Sequence, residues 1–309
     1  MSSESKIIAC VTGATGLIGR RIVEQLRSGG CHVRILTRGG KPEGQDISVY
    51  RGGLEDESLL RTFLHQGTFL FHCAAEMNDH SKMWAVNVHG TERLFHLASE
   101  ARINYFCYMS SAGVIGRTSC PSVTERASCN PQNVYEQSKW AAEQIVAQGL
   151  SGGRVVILRP TNVVDIHKPG AIEMPMRRRW QDRLKVFLKG GECAHIVHAE
   201  DVARAALYLN LYPIDTPECF FVSCDDDPLN TFGGIWALFM AIQEGRPIER
   251  IQPVRHLPVF VPQTLRGLWR GSWQYGSVRY SSGKLLSTGF RYSLGVEGAV
   301  RSVARGGAV

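Results

Sequence analysis

No stretch of roughly 18 consecutive apolar residues occurs, so a membrane-spanning helix is not expected. No apolar secretory region follows the polar opening "MSSESK", which points to a cytoplasmic protein. No Cys-x-x-Cys pair exists among the nine cysteines, and Cys10, Cys73 and Cys107 fall inside apolar runs, so reduced thiols are expected rather than a disulfide framework. The pairs His72-Cys73 and Cys193-Ala-His195 lack four-ligand spacing, have strand-like flanks, and read as hydrogen-bonded core residues; no metal is expected. There is no internal repeat and no low-complexity tract. Charge of one sign is also scarce. Lys plus Arg number 35 against 28 Asp plus Glu, a net +7 that is mild for 309 residues. Without a recognised motif or aromatic platform, nucleic acid is not an expected partner; a solvated surface or an anionic small molecule accounts for the excess.

What is present is ordinary globular composition, 44% hydrophobic and 20% charged. "KIIACVT" is a short apolar run followed at once by glycines, then by "LIGRRIVEQLRSGG", which has helical periodicity and a Gly29-Gly30 stop. The rhythm recurs. "HVRILT", "ISVYRG", "TFLFHCAA", "NYFCYMSS" and "GRVVILRP" read as strands, with helices over "ESLLRTFLHQ", Trp84 to Ala101 and Val134 to Gln148. Apolar runs without alternation are covered on both faces, so the fold class is α/β, a doubly wound parallel sheet between helices. From about Thr161 the pattern becomes Pro-, Arg- and Gly-punctuated. "HIVHAEDVARAALYLN" and "CFFVS" return to it, and "LNTFGGIWALFMAI" predicts one further helix. Trp236, Trp269 and Trp273 read as core or rim residues.

"VTGATGLIGRR" sets Gly13, Gly16 and Gly19 between the first strand and the first helix. Glycine there allows a tight turn, close backbone approach to a pyrophosphate, and the partial positive charge of a helix N-terminus. The second strand ends in Thr37-Arg38, where NAD-selective sites offer a carboxylate. A guanidinium suits a 2′-phosphate, so NADP (as NADPH) is favoured, with NAD possible.

"NVYEQSKWAAEQIV" puts Tyr135 four residues before Lys139, on one helical face. Spacing alone proves little, since Tyr280 also stands four before Lys284; there, however, Gly283 interrupts the turn. Ser111 in "CYMSSAGVIG" follows a strand end, where doubly wound sheets bind ligands.

Together "TGATGLIG", "HCAA", "NVHGT", "SSAGVIG", "YEQSK", "LRPTN", "IVHAEDVA" and "KLLSTGF" resemble the extended short-chain dehydrogenase/reductase family, the NAD(P)-dependent epimerase/dehydratase group, over most of the chain. The resemblance implies a Rossmann domain over 1–160, with 194–225 returning to it, and a smaller C-terminal substrate-binding lobe over 161–193 and 226–309. A homodimer packed through two long helices is also implied. Matched residue by residue, Tyr135 is the general acid/base, Lys139 binds the nicotinamide ribose and tunes Tyr135, and Ser111 hydrogen-bonds the reacting oxygen. An ammonium near the phenol is expected to lower its pKa from near 10 toward the working range. Gly13, Thr15, Gly16, Leu17, Ile18, Gly19, Arg38, Leu54, Ala74, Ala75 and Pro160 match cofactor-binding positions.

Asn162 matches the position that sugar-nucleotide members place near the substrate diphosphate, or simply ends a strand. Arg177, Arg178 and Arg179 either reach the same diphosphate or are solvated. The implied substrate is a nucleotide sugar, the leading activity an NADP-dependent 4-keto reductase. A 4-epimerase with retained NAD(P), or an NADPH reductase of a sterol- or flavonoid-like ketone, are the alternatives. A cofactor-sensing regulator would not need Tyr135 and Lys139; a dehydratase would carry Thr-Asp-Glu where Ser111-Ala112-Gly113 stands. Gly53 replaces the family's usual Asp before Leu, so adenine recognition is left to backbone and Leu54. Val164-Asp165 replaces the usual Tyr-Gly.

Overall fold

The first strand, β1 (Ile8–Thr12), is buried over four of its five residues, and the chain leaves it through glycine into α1 (Leu17–Ser28). On α1 the buried residues Gly19, Ile22, Val23 and Leu26 follow one another at helical spacing, so one stripe faces the sheet. Gly29 and Gly30 end the helix; Gly30 has φ +79, a conformation that a β-carbon disfavours. The computed structural model describes residues 7–40, 44–118, 120–213, 217–251, 254–264 and 277–306. Trp269 and Trp273 lie outside them.

The next elements are β2 (His32–Thr37), β3 (Ile47–Arg51), α2 (Glu57–Leu64), β4 (Phe69–His72), α3 (His80–Trp84), α4 (Gly90–Glu100), β5 (Tyr105–Met109), β6 (Ser122–Val123), α5 (Val134–Val146) and β7 (Arg154–Pro160). They are followed by β8 (Asn162–Val164), α6 (Glu173–Arg177), α7 (Trp180–Lys189), β9 (Ile196–His198), α8 (Ala199–Leu211), β10 (Glu218–Val222), α9 (Phe232–Gln243) and β11 (Arg279–Tyr280). Two helices, Gly283–Ser287 and Gly295–Gly306, come last.

Seven strands form one sheet in the order β10-β7-β5-β4-β1-β2-β3, and the pairings from β7 through β3 are parallel. This is the expected doubly wound sheet. All five residues of β5 are buried, as a strand with helices on both faces requires. Strand order reverses beside β1, so a crevice opens at the carboxyl ends of β1 and β4.

One expectation needs correction. The helix predicted from Trp84 to Ala101 begins earlier, at His80, and is not α-helical throughout: a π-turn over Ala85–His89 lies between α3 and α4 within one uninterrupted helical stretch. Such a turn adds a residue to the helical repeat and redirects the side chains within it. Here it holds Asn87 in the interior, with hydrogen bonds to Glu76 and Ser138.

Contacts divide the chain into two compact units. The first runs to Val114 and takes in Pro131–Arg159 and Val202–Phe220; the second comprises Ile115–Asn130, Pro160–Asp201 and the chain from Phe221 onward. Within the second, β8 pairs with β9, and β6 with β11. Buried Asp201 caps the helix Gly295–Gly306, accepting from the backbone N–H of Ser293 (2.8 Å), Leu294 (3.2 Å) and Gly295 (2.9 Å). A carboxylate at a helix N-terminus satisfies otherwise orphaned donors and offsets the dipole. Tyr280 lies on β11 and Lys284 on the following short helix, so that second Tyr/Lys pair shares no helical face.

Candidate active site

Gly13 leaves β1 at φ +66. A Cβ there would stand 2.6 Å from Ala74 N and from Cys73 C, and one at Gly19 would stand 2.2 Å from Gly13 O. Neither position accepts a side chain, and the loops after β1 and β4 press together at the crevice. At Gly16 the approach to Gly13 O is 3.2 Å. Gly16 is the N-cap of α1 and offers no side-chain cap; no acidic residue occupies the first turn. The first-turn N–H groups, those of Leu17 and Ile18 among them, therefore have no carboxylate competing for them. Thr15 is exposed, with its methyl facing Gly40 beyond β2. This cradle fits a dinucleotide pyrophosphate.

A buried chain of hydrogen bonds runs from the glycine loop to α5. Thr12 Oγ1 lies 2.6 Å from His72 Nδ1 and accepts from Ala74 N–H; His72 Nε2 lies 2.9 Å from Thr91 Oγ1. Because Thr91 donates to Asn87 O, its oxygen accepts from His72, which fixes the neutral Nε2–H tautomer. Asn87 Nδ2 donates to Ser138 Oγ, and Ser138 Oγ donates to the Tyr135 carbonyl. Burial, assisted by the Lys139 charge, depresses the His72 pKa to about 3. The unfolded chain therefore binds a proton that the folded chain refuses between about pH 6.5 and about pH 3. Folding stability is expected to fall through that window as pH drops, by about 1.4 kcal/mol per pH unit from this residue. Urea midpoints measured against pH test this: His72→Gln, scored for slope rather than absolute stability, should remove that contribution.

Asn133 sets where α5 begins. Its side chain accepts from Glu136 N (2.9 Å), and Glu136 Oε2 accepts from Gln132 N (2.6 Å), a reciprocal cap that puts Tyr135 in the first turn. Lys139 follows one turn later, buried, with Nζ donating to Met109 O at 2.7 Å and standing 4.9 Å from the Tyr108 ring centroid. Burial lowers its pKa to about 8, against opposing pulls from Cys73 and Glu143. Ser111 Oγ accepts from Gly113 N at 3.1 Å. A Cβ on Gly113 would meet both Ser111 Oγ and Glu136 Cγ at 3.2 Å, so Ser111 borders the first turn of α5. The expected lowering of the phenol is not seen. Desolvation by burial pushes Tyr135 up to about 12, while the Lys139 ammonium donates to a carbonyl.

Behind this face, Glu143 stands one turn beyond Lys139. It accepts from Ser110 Oγ and from Arg159, whose Nη2 is 2.6 Å away and whose Nε is 3.0 Å away. Arg159 and Glu143 are both buried, and the guanidinium lies 5.7 Å from the Trp140 ring. Sequence reading missed this network. Its only signals were an acidic residue at helical spacing from Lys139 and the Arg of "LRPTN".

Arg38 is exposed just past β2. Glu76, held below the usual carboxylate range first by the N–H groups of Asn78 and Asp79, also feels the Arg38 charge. Leu54 is buried in the core, 2.9 Å from where a Gly90 Cβ would stand. Its side chain is therefore committed to packing. The carboxylate of Glu55 instead folds over Gly53: a Cβ at Gly53 would meet its oxygens at 2.2 and 2.4 Å. Ala74 and Ala75 follow β4, half-buried, and Pro160 ends β7, buried.

In the second unit, Asn162 Nδ2 donates to Ala194 O at 2.9 Å, so half of its amide ties the start of β8 to the chain entering β9. The three consecutive arginines part company. Arg177 pairs with Glu173, Arg179 is the N-cap of α7, and Arg178, at φ +50, lines a cavity of about 330 Å³ with Arg183, Arg255, Val186, Trp236, Met240 and Val254. Arg183 and Arg255 had no sequence signal. Cys193, His195 and Asp225 place ligand-type atoms within 4.8 Å of one another. Each has a protein partner: Asp225 Oδ2 holds His195 Nδ1 (2.6 Å) and Tyr280 N–H (2.9 Å), and Cys193 Sγ donates to Asn230 O. All nine cysteines are free thiols. No described helix is long and apolar enough to cross a membrane.

The profile of the NAD dependent epimerase/dehydratase family matches residues 9–215. Sterol demethylase protein B of Methylococcus capsulatus is 28% identical over 194 residues, 58% of this chain and 59% of that protein. The chain spans between about half and three fifths of the length of the first curated relatives that it matches. A short-chain dehydrogenase/reductase superfamily protein from Agrobacterium tumefaciens, solved with bound NAD, superposes with a TM-score of 0.73 at 22% identity, covering 97% of this chain and 96% of that one. UDP-glucose 4-epimerase from Thermotoga maritima, solved with UDP-glucose, gives a TM-score of 0.72 at 20% identity, covering 97% and 98%. These two likenesses concern the fold. With a family match over most of the chain, a doubly wound sheet, and a glycine cradle at its switch point, the protein belongs to the NAD dependent epimerase/dehydratase family.

Proposed function

We propose that the protein is an NADP-dependent reductase of a nucleotide-sugar keto group, with Tyr135 as proton donor. The carrying observation is the placement of that phenol. The Asn133 cap places Tyr135 in the first turn of α5, buried Lys139 follows one turn later, and Ser111 borders the same turn, so a proton donor, a cation and a hydroxyl stand near one another. When bound, the reduced nicotinamide supplies a hydride. In this reading Tyr135 protonates the carbonyl oxygen as it gains charge, Ser111 hydrogen-bonds the same oxygen, and Lys139 holds the nicotinamide ribose. The network through His72, Asn87 and Ser138 keeps the first turn of α5 fixed to the loop that carries Gly13.

The Arg178, Arg183 and Arg255 side chains supply cationic donors suited to a diphosphate, and the apolar wall of the same cavity suits a ring. The second unit is, in this proposal, the substrate lobe. That apolar wall also favours the second reading, a sterol- or flavonoid-like ketone. To separate the readings, purified protein is offered a nucleotide 4-keto sugar with NADPH, and absorbance of the reduced cofactor is followed. Interconversion of hydroxyl isomers without net NADPH consumption would replace the reductase by an epimerase; consumption only with a hydrophobic ketone would select the second reading. The homodimer is part of the same proposal and is checked by sedimentation velocity.

Cofactor preference rests on Arg38, and adenine binding on Glu55, whose carboxylate fills the space over Gly53. Arg38→Ala is expected to weaken NADP binding by about tenfold or more with little change for NAD, as loss of a charge-assisted contact to one phosphate implies. Glu55→Ala should weaken both by a similar small factor. Calorimetric titration with each nucleotide checks the pair, and an equal loss for NADP and NAD in Arg38→Ala would discard the preference.

A further inference from the structure

Helix α7 carries its apolar stripe on the wrong side for a globular protein. Trp180, Leu184, Phe187 and Leu188 recur at the i, i+4, i+7, i+8 spacing of one helical face, and they are 72%, 47%, 43% and 40% exposed. The residues that α7 buries are Asp182 and Val186. An amphipathic helix in a folded domain normally turns the larger apolar side chains inward, because each one fully buried is worth roughly 1.5–3 kcal/mol. Here a Trp, a Phe and two Leu forgo a large part of that gain. The patch continues beyond the helix: Leu257 N donates to Phe187 O, which ties the 254–260 segment to α7, and Phe260 on that segment is 64% exposed.

Charge around the stripe has one sign. Arg177, Arg178, Arg179, Arg183, Lys185 and Lys189 stand on or immediately before α7, and the single acidic side chain in that stretch is buried Asp182, 3.5 Å from Lys185. Arg183 and Lys185 flank Leu184 directly in sequence, so cations border the stripe on both sides. An aromatic and aliphatic face edged with Arg and Lys is the composition of a helix that lies in the headgroup region of an anionic bilayer, its apolar side chains among acyl chains and its cations on lipid phosphates. Ten residues give a helix about 15 Å long, enough to lie along a surface and far too short to cross one.

We infer that the face of α7 bearing Trp180, Leu184, Phe187 and Leu188 is a peripheral docking surface for an anionic lipid bilayer. The inference is independent of the substrate proposed above, because none of the four residues belongs to the Tyr135 site or lines the arginine cavity.

The test is flotation of the full chain with vesicles of pure phosphatidylcholine and with vesicles containing about 30% phosphatidylserine, at low salt and at about 0.5 M salt. Expected is binding to the anionic vesicles at least about tenfold stronger than to the neutral ones, reduced by salt. Trp180→Ser with Leu184→Gln should abolish it, and Lys185→Gln with Lys189→Gln should weaken it about tenfold. Thermal melts should show both variants folded, with at most a small loss from the Lys185–Asp182 pair and from half-exposed Leu184. Absence of flotation with either vesicle overturns the inference. So does binding that survives Trp180→Ser with Leu184→Gln. A third overturning result is a wild-type oligomer that this variant splits while lipid binding is absent, which would assign the face to a second copy of the chain.

Discussion

Tyr135→Phe is expected to lower turnover by about two to four orders of magnitude while cofactor affinity stays within a few-fold of the wild type. The change deletes one oxygen from a half-buried ring and leaves the shape intact. No described protein group hydrogen-bonds that hydroxyl; the residue's tie to the network is its backbone carbonyl, which accepts from Ser138. The fold should therefore tolerate the substitution, and the loss should fall on the chemical step rather than on binding. Steady-state rates with a keto substrate, read beside a nucleotide titration, separate the two. If nucleotide affinity collapsed together with rate, the hydroxyl would be a binding or structural group and the proton-donor role would be lost. If rate stayed within a few-fold, another acid would have to be sought.

The largest effect on stability is expected at Glu143. Its carboxylate accepts from Arg159 and from Ser110 in a site where both charged side chains are nearly inaccessible to water. Glu143→Ala removes the anion and leaves a guanidinium in the interior with its main partner gone, a situation that costs about 3–5 kcal/mol. Urea unfolding should show that loss as a shift of the midpoint with little change in slope. A double change, Glu143→Leu with Arg159→Leu, should recover much of it, because both desolvated charges go together. Recovery is the discriminating result: if the double variant were as unstable as Glu143→Ala, the cost would lie in lost packing and not in an unpaired charge. Since Glu143 lies one turn after Lys139 on α5, and Ser110 adjoins Ser111, the same variants report how firmly the candidate site is held from behind.

How much of this was readable in the chain follows from the range over which each feature is determined. The glycine cradle and the Tyr135/Lys139 face are set by neighbours a few residues away, since helical periodicity and steric limits on glycine act locally. The parallel sheet followed from apolar runs alternating with helical ones, because parallel strands need crossovers. The π-turn escaped because it keeps helical composition on either side; the partners of its Asn87, Glu76 and Ser138, lie 11 and 51 residues away.

Sequence by itself determined the fold class, the crevice and the catalytic candidates, all features written in local spacing. Tertiary structure alone decided that Glu55 covers Gly53, that Glu143 meets Arg159, that Arg178 turns toward Arg183 and Arg255 while its neighbours do not, and that α7 shows its apolar side to solvent. The physical reason is common to all four. Periodicity says which residues share a face, but only the packing of distant segments says what that face meets.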